Sequence, residues 1–263
     1  MTWDERYGPW ALVTGASSGI GAEFVRQIAS RGLNVILVAR RKDRMDDLAR
    51  SVETGYGIAT RVLDIDLLAP DAVACVQQGA AGLDIGLLVN NAGFGLSGTF
   101  ANQDARRQAD MILLNCLLPV QLTQSFLPAM IERGRGGLIF LASTAAYQAT
   151  PYLSAYGATK AFNLMLGESL SKEYREAGVD SLSLSPGFTS TEFADVADID
   201  NAGLFRVATA DAVVRAGLGA MGRKSSIVHG WLNKALTFST RLLPRQVATA
   251  ITAAALKGRA HNL

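Results

Sequence analysis

WALVTGASSGIG, Trp10–Gly21, reads as a short buried strand that breaks at once into a glycine-rich turn and then a helix. Gly15 permits the tight turn, Gly19 lets backbone approach a phosphate, and Gly21 lets helix and strand pack closely, with the helix N-terminus facing the anion. The spacing is G-x-x-x-G-x-G, so Ser17, Ser18 and Ile20 fill the turn between the glycines. Phe24, Ile28 and Ala29 then recur with helical spacing up to the stop at Arg31–Gly32.

The same alternation runs outward along the chain. Val35–Ala39, Ile58–Leu63, Ile85–Asn90, the run LIFLA from Leu138, and Val179–Ser185 read as further strands, with a last one at Ser226–His229. Between them, helices are expected over Asp43–Thr54, Ala72–Ala81, Asp104–Arg133, from Tyr156 to about Ala177, and over Ala210–Met221. Strand and helix alternating throughout specify an α/β fold: a doubly wound, Rossmann-type parallel sheet with helices on both faces. Nothing resembling a linker interrupts the 263 residues, so 1–263 is read as one domain. Within it, 188–210 is the expected substrate loop. The stretch 231–257 is a helical tail around Pro244, read as packing or an interface ahead of a cap on the site or a membrane-surface segment.

Composition narrows the function. A hydrophobic content of 49% supplies a large core, and a net charge of +2 without a dense basic stripe argues against nucleic acid. Cys75 and Cys116 form no motif, and no secretory leader precedes the first strand, so a reducing cytoplasm is expected. His229 and His261 are too few and scattered for a histidine-rich metal site, and no metal is expected. No apolar run reaches the ~20 residues that span a bilayer, so membrane association is not expected.

Chemistry concentrates in Leu138–Leu170, LIFLASTAAYQATPYLSAYGATKAFNLMLGESL. The strand ends at Ser143, and Tyr156 and Lys160 follow at i, i+4 on one helix face. A free phenol titrates near ~10, and an ammonium one turn away is expected to lower that value. Such a phenol can hand a proton to, or take one from, an alcohol or ketone oxygen, with the serine hydroxyl holding that oxygen. Asn115 lies four residues before Pro119, which has no N–H, so the carbonyl of residue 115 should lose its helical partner and the helix should kink. Phe94, Leu96, Tyr147, Tyr152, Leu153, Phe188 and Phe193 are expected to ring the mouth, which suits an apolar ketone or alcohol.

Where a cofactor with a free 2′-hydroxyl usually meets an acid, after the second strand, the chain has Ala39, Arg40 and Arg41. No carboxylate there repels a 2′-phosphate and two guanidinium groups can bind one, favouring NADP(H) over NAD(H).

Taken together, Thr14–Gly21, the NNAG of Asn90–Gly93, Asn115, Ser143, Tyr156 with Lys160, and Pro186–Gly187 followed by Thr189 and Thr191 resemble the short-chain dehydrogenase/reductase family, in its NADP-using general reductase branch. The resemblance runs from Trp10 to about Phe193. It implies a catalytic tetrad of Asn115, Ser143, Tyr156 and Lys160, with the Asn115 carbonyl holding a water that leads toward Lys160. It also implies cofactor contacts from Asp66 and Leu67 (Asp64 as a weaker candidate) at the adenine. Asn90, Ala92 and Gly93 would lie on the adenosine side, and Pro186, Gly187, Thr189 and Thr191 at the nicotinamide. Such a protein is expected to act as a carbonyl reductase on a small-molecule ketone or secondary alcohol, and to form a homodimer or homotetramer through the two long helices. The competing reading is a non-catalytic cofactor-binding regulator, or a membrane-peripheral protein, that keeps the fold.

Overall fold

The computed structural model describes residues 2–193, 197 and 207–257. Its centre is one parallel sheet of β1 (Trp10–Thr14), β2 (Asn34–Ala39), β3 (Thr60–Asp64), β4 (Ile85–Asn90), β5 (Gly136–Leu141), β6 (Val179–Ser185) and β7 (Ser226–Val228), in the order β3-β2-β1-β4-β5-β6-β7. The order reverses between β1 and β4, which opens a crevice at the carboxyl ends of those strands. The inner strands are buried on both faces, which is why they read as continuous apolar runs rather than as alternation.

The helices are α1 (Trp3–Tyr7), α2 (Gly19–Ala29), α3 (Lys42–Tyr56), α4 (Ala72–Gly79), α5 (Ala105–Ile112), α6 (Leu118–Glu132), α7 (Ser154–Glu173), α8 (Ala210–Ala220), α9 (Trp231–Ser239) and α10 (Arg245–Leu256). Phe24 of α2, Met45 of α3 and Val213 of α8 pack one face of the sheet. Val76 of α4 and Leu122 and Met130 of α6 pack the other. The continuous helical stretch Ala105–Glu132 carries a window apolar enough, by length and composition, to cross a membrane. Here Met111, Asn115, Leu118, Leu122 and Met130 are turned inward and buried.

Some boundaries differ from the sequence reading. The third strand begins at Thr60, which pairs with Val35, rather than at Ile58. Ile58 packs on the core before the ladder starts, so its apolarity marks burial and not strand. Helix α7 opens at Ser154 and stops at Glu173, short of Ala177. Helix α1 is absent from the sequence reading although Thr2 and Glu5 form a capping box. Its Tyr7 hydroxyl donates to Asp180 of β6 at 2.7 Å, and Arg6 pairs with the same carboxylate. Part of the 188–210 loop, residues 194–196 and 198–206, lies outside the described residues.

Candidate active site

The crevice at the β1/β4 reversal carries the glycine turn. Gly15 and Gly19 have φ of 67° and 54°, left-handed values that favour glycine. A Cβ on Gly21 would stand 2.1 Å from the Gly15 carbonyl oxygen, so this turn closes only without a side chain. Ser18 precedes α2 but makes no capping bond to its first N–H groups, leaving them directed at the crevice. Thr14 ties the turn to the loop after β4. Its hydroxyl accepts from the backbone N–H groups of Asn91 and Ala92, both at 3.0 Å.

The turn opens into a cleft of about 530 Å³ lined by Gly15, Ser17, Ser18, Gly19, Ile20, Gly21, Arg40, Arg41, Asp66, Leu67, Ala92, Gly93 and Thr191, as the sequence reading places them. Asp64 is exposed and outside it. Asn90 is a correction: it is buried beneath, 5% exposed, with its amide donating to Thr123, and Asn91 lines the cleft in its place. The glycine cradle, the open helix N-terminus and the neighbouring cations fit a dinucleotide. The cation end holds a second correction. Arg41 donates to Ser17 at 3.1 Å and to Ser18 at 2.6 Å, and pairs with Glu192 at 2.7 Å. Arg44 pairs with the other Glu192 oxygen at 2.5 Å. Thus a carboxylate does stand among these cations, supplied by the loop after β6. Arg44 first, then Arg41, hold it well below the usual carboxylate range, to about 2. Arg40 remains exposed on the rim.

A second cavity, of about 320 Å³, adjoins the first and shares Ile20, Asn91, Gly93, Leu141, Thr191 and Phe193 with it. Ser143, Tyr156, Lys160, Pro186, Gly187 and Thr189 line this one, so the catalytic candidates and the expected nicotinamide clamp converge where the clefts meet. The backbone N–H of Thr144 donates to the Pro186 carbonyl at 3.0 Å, joining the ends of β5 and β6 beneath Ser143.

Tyr156 and Lys160 are 7% and 4% exposed. The Lys160 ammonium donates to the Leu141 carbonyl at 2.8 Å and lies 5.8 Å from the Tyr156 ring centre. The expected lowering of the phenol does not hold among the protein groups themselves. Burial pushes Tyr156 up to about 12, with the Ser143 hydroxyl pulling the other way. Burial also brings Lys160 down to about 8. Loss of water outweighs the opposing pull of Ser143 on the phenol and of Cys116 on the ammonium.

Asn115 joins this corner through a turn of π-helix, Leu113–Leu117, that separates α5 from α6. Its side-chain amide donates to the Phe94 carbonyl at 2.9 Å and to the Thr159 hydroxyl at 3.0 Å, and its oxygen accepts from the Phe94 N–H. The kink expected from Pro119 takes the form of this turn. The Asn115 carbonyl, deprived of the donor that Pro119 lacks, accepts at 2.8 Å from the side-chain amide of Asn163 on α7. Cys116 beside it is half-buried and its thiol is pushed up by burial, as packing requires and reactivity does not.

The mouth is apolar. Leu153, Phe188 and Phe193 line it, with the Phe193 ring 5.4 Å from that of Tyr156. Leu96 is buried in the same cluster, and Phe94 lines the dinucleotide cleft. Tyr147 is a correction, because it faces a neighbouring cleft behind the short 3-10 turn Thr144–Tyr147. Tyr152 sits in the loop before α7, held by the Gly98 N–H. The tail resolves into α9 and α10, and both cover the cavity through Asn233, Leu236, Thr237, Ile251, Thr252 and Leu256. Gln148 donates to Thr252 at 2.6 Å. The tail therefore packs over the site, the capping position that the sequence left open beside packing or an interface. Lys234, Arg241, Arg245 and Lys257 stand on it, and 231–257 contains no acidic residue.

Residues 9–201 match the family model described as short chain dehydrogenase. The chain is 33% identical over 193 residues to the very-long-chain 3-oxoacyl-CoA reductase of Homo sapiens, a match covering 72% of this chain and 62% of that protein. It is 33% identical over 245 residues to the protein of that name from Anas platyrhynchos, covering 89% and 77%. A solved structure described as "Short-chain dehydrogenase from Sphingobium yanoikuyae in complex with NADPH" superposes with a TM-score of 0.79 at 33% identity, covering 89% of this chain and 94% of that one. A structure from a study of 7beta-hydroxysteroid dehydrogenase stereoselectivity reaches a TM-score of 0.89 at 25% identity, covering 96% and 100%. With the fold, the motif positions and these relatives in agreement, the chain belongs to the short-chain dehydrogenase/reductase family of oxidoreductases.

Proposed function

We propose that the chain is an NADPH-dependent carbonyl reductase acting on an apolar ketone, with Tyr156 as the proton donor. The observation that carries this reading is a buried phenol, pushed up to about 12, at the junction of the dinucleotide cleft and an apolar cavity. At neutral pH such a phenol is protonated, which equips it to give a proton to a ketone oxygen. Pro186, Gly187, Thr189 and Thr191 would hold a nicotinamide, which would supply the hydride.

The chain's own groups then do three things. Ser143 and Tyr156 hold the substrate oxygen, so the charge developing on it meets two preset hydroxyl dipoles. Tyr156 passes its proton to that oxygen, and the Lys160 ammonium on the same helix face stabilises the phenolate left behind. The apolar mouth and the α9–α10 cover shed water from the reacting carbonyl. Substrates of the related proteins, long 3-oxoacyl thioesters and fused-ring steroids by their names, share a large apolar body, and they define the first test panel.

NADPH should also be the preferred cofactor. A surface ion pair such as Arg41–Glu192 contributes about 0–1 kcal/mol, whereas hydrogen bonds to a charged group contribute about 1.5–3 kcal/mol. By these magnitudes Arg41 and Arg44 would exchange their exposed pairing with Glu192 for a 2′-phosphate. The experiment is ketone-dependent oxidation of NADPH and of NADH across that panel. Turnover with NADPH at low micromolar KM supports the reading; no turnover with any ketone, or a preference for NADH, rejects it. Exposed Ile112, Leu113, Leu117, Phe162 and Met165 on the paired long helices support a two-fold dimer or tetramer, which light scattering would register.

A further inference from the structure

Asn163 sits on α7 three residues after Lys160 and is 3% exposed. Leucine would fill nearly the same space without burying an amide. Its side-chain Nδ2 faces two backbone carbonyls, Asn115 at 2.8 Å and Thr159 at 3.2 Å, which fixes the orientation of the amide. Its Oδ1, on the other side, is buried with no donor among the described protein atoms. Burying a half-satisfied amide is unfavourable, so the group is retained for the bonds its nitrogen makes.

Those bonds answer an accounting problem in the neighbouring helix. The Asn115 carbonyl would normally accept from the N–H of residue 119, and Pro119 has none. Within the π-helical turn the Leu118 N–H goes instead to Leu113. The carbonyl of Asn115 has thus lost its usual i+4 donor, and Asn163 donates to it from the facing helix. The same Asn115 bridges, through its side chain, to the Phe94 backbone and to Thr159. The Asn115 oxygen lies 2.6 Å from where a Cβ on Gly93 would stand, and Lys160 Nζ lies 3.7 Å from that point. The Asn163 carbonyl is held in turn by the Ser183 hydroxyl at 3.0 Å, which anchors the arrangement to β6.

We propose that Asn163 is a positioning residue of the catalytic corner, which fixes the π-helical turn by donating to the Asn115 carbonyl and so aims the Asn115 side chain at the loop beside Lys160. This rests on the assignment of Tyr156 and Lys160 above. It goes beyond that assignment, because the residue lines neither cleft.

Two variants separate hydrogen bonding from packing. In Asn163→Leu the space stays filled and the carbonyl has no donor. In Asn163→Ala a water can enter and donate in the amide's place. Positioning predicts that kcat falls at least tenfold in the leucine variant and less in the alanine variant. NADPH Kd should stay within about threefold, and the pH profile of kcat should shift as the surroundings of Lys160, Tyr156 and Cys116 change. The cofactor-free leucine variant should also melt below wild type. Simple packing predicts the reverse order, with leucine close to wild type and alanine impaired, and that order overturns the proposal. Should the leucine variant fail to bind NADPH, the alanine variant decides alone: a three- to tenfold loss of kcat at saturating NADPH is expected, and a wild-type kcat overturns the proposal. If wild-type protein reduces no ketone in the panel, the functional reading fails first. The melting order of the three cofactor-free proteins then still tests the bond itself.

Discussion

The two ends of the dinucleotide cleft are built differently. At the catalytic end, Asn115, Tyr156 and Lys160 are almost wholly buried, and their neighbours are backbone carbonyls and short side chains on packed helices. At the cation end, Arg41, Arg44 and Glu192 have side chains 43%, 52% and 45% exposed and meet one another across loops. One end owes its geometry to burial and cannot be altered piecemeal. The other is a set of exchangeable charge contacts, open to competition from solvent, salt and an incoming phosphate.

The difference sets the size of each expected effect. Tyr156→Phe should keep the fold and NADPH binding while lowering turnover by about 10²–10⁴-fold, since it removes only the acid/base group. A variant within tenfold of wild type on a verified ketone would remove Tyr156 from the mechanism. Arg41→Ala comes next: NADPH Kd should rise roughly 10- to 100-fold, with NADH hardly affected. Equal weakening of both cofactors in direct titrations would mean that Arg41 supports the loop rather than the phosphate. Smaller still, Glu192→Gln should tighten NADPH binding by up to about fivefold, because the competing carboxylate is gone. If binding weakens instead, Glu192 acts as a clamp over the bound cofactor.

A pH titration of stability probes the buried end without any cofactor. Lys160 is brought down to about 8 in the folded protein, against ~10.4 in an unfolded chain. Between those values the unfolded state holds the extra proton, so the Lys160 contribution to stability rises with pH across that window. Above it the buried Tyr7 and Tyr156, both raised, reverse the trend. Lys160→Met should flatten the rise, and denaturant midpoints between pH 7.5 and 10 would measure it.

The same contrast explains what could be read before the fold was known. Gly15–Gly21, Ser143 and the Tyr156/Lys160 pair announce themselves because each is local, a turn after a strand or two residues one helical turn apart. Glu192 could not be placed, since nothing near it in the sequence says that it crosses to Arg41 and Arg44. Asn163 was open to discovery: Pro119 orphans one carbonyl, and the question of which donor replaces the missing N–H leads to a polar residue on the facing helix. The tail was ambiguous for a plainer reason. Its apolar residues are divided between a face that lines the cavity and one that does not, with Leu236 and Ile251 inside and Trp231 and Leu242 outside, and composition cannot apportion them.

The cover over the cavity has a consequence for rates. Lys234, Arg241, Arg245 and Lys257 give it a positive potential with no acidic residue of its own to offset it. A negatively charged molecule diffusing toward that mouth is drawn in faster than a neutral one, and added salt slows only the former. The slope of kcat/KM against ionic strength therefore reports the charge of the molecule being captured: steeply falling for a polyanionic thioester, and flat for a neutral steroid-like ketone.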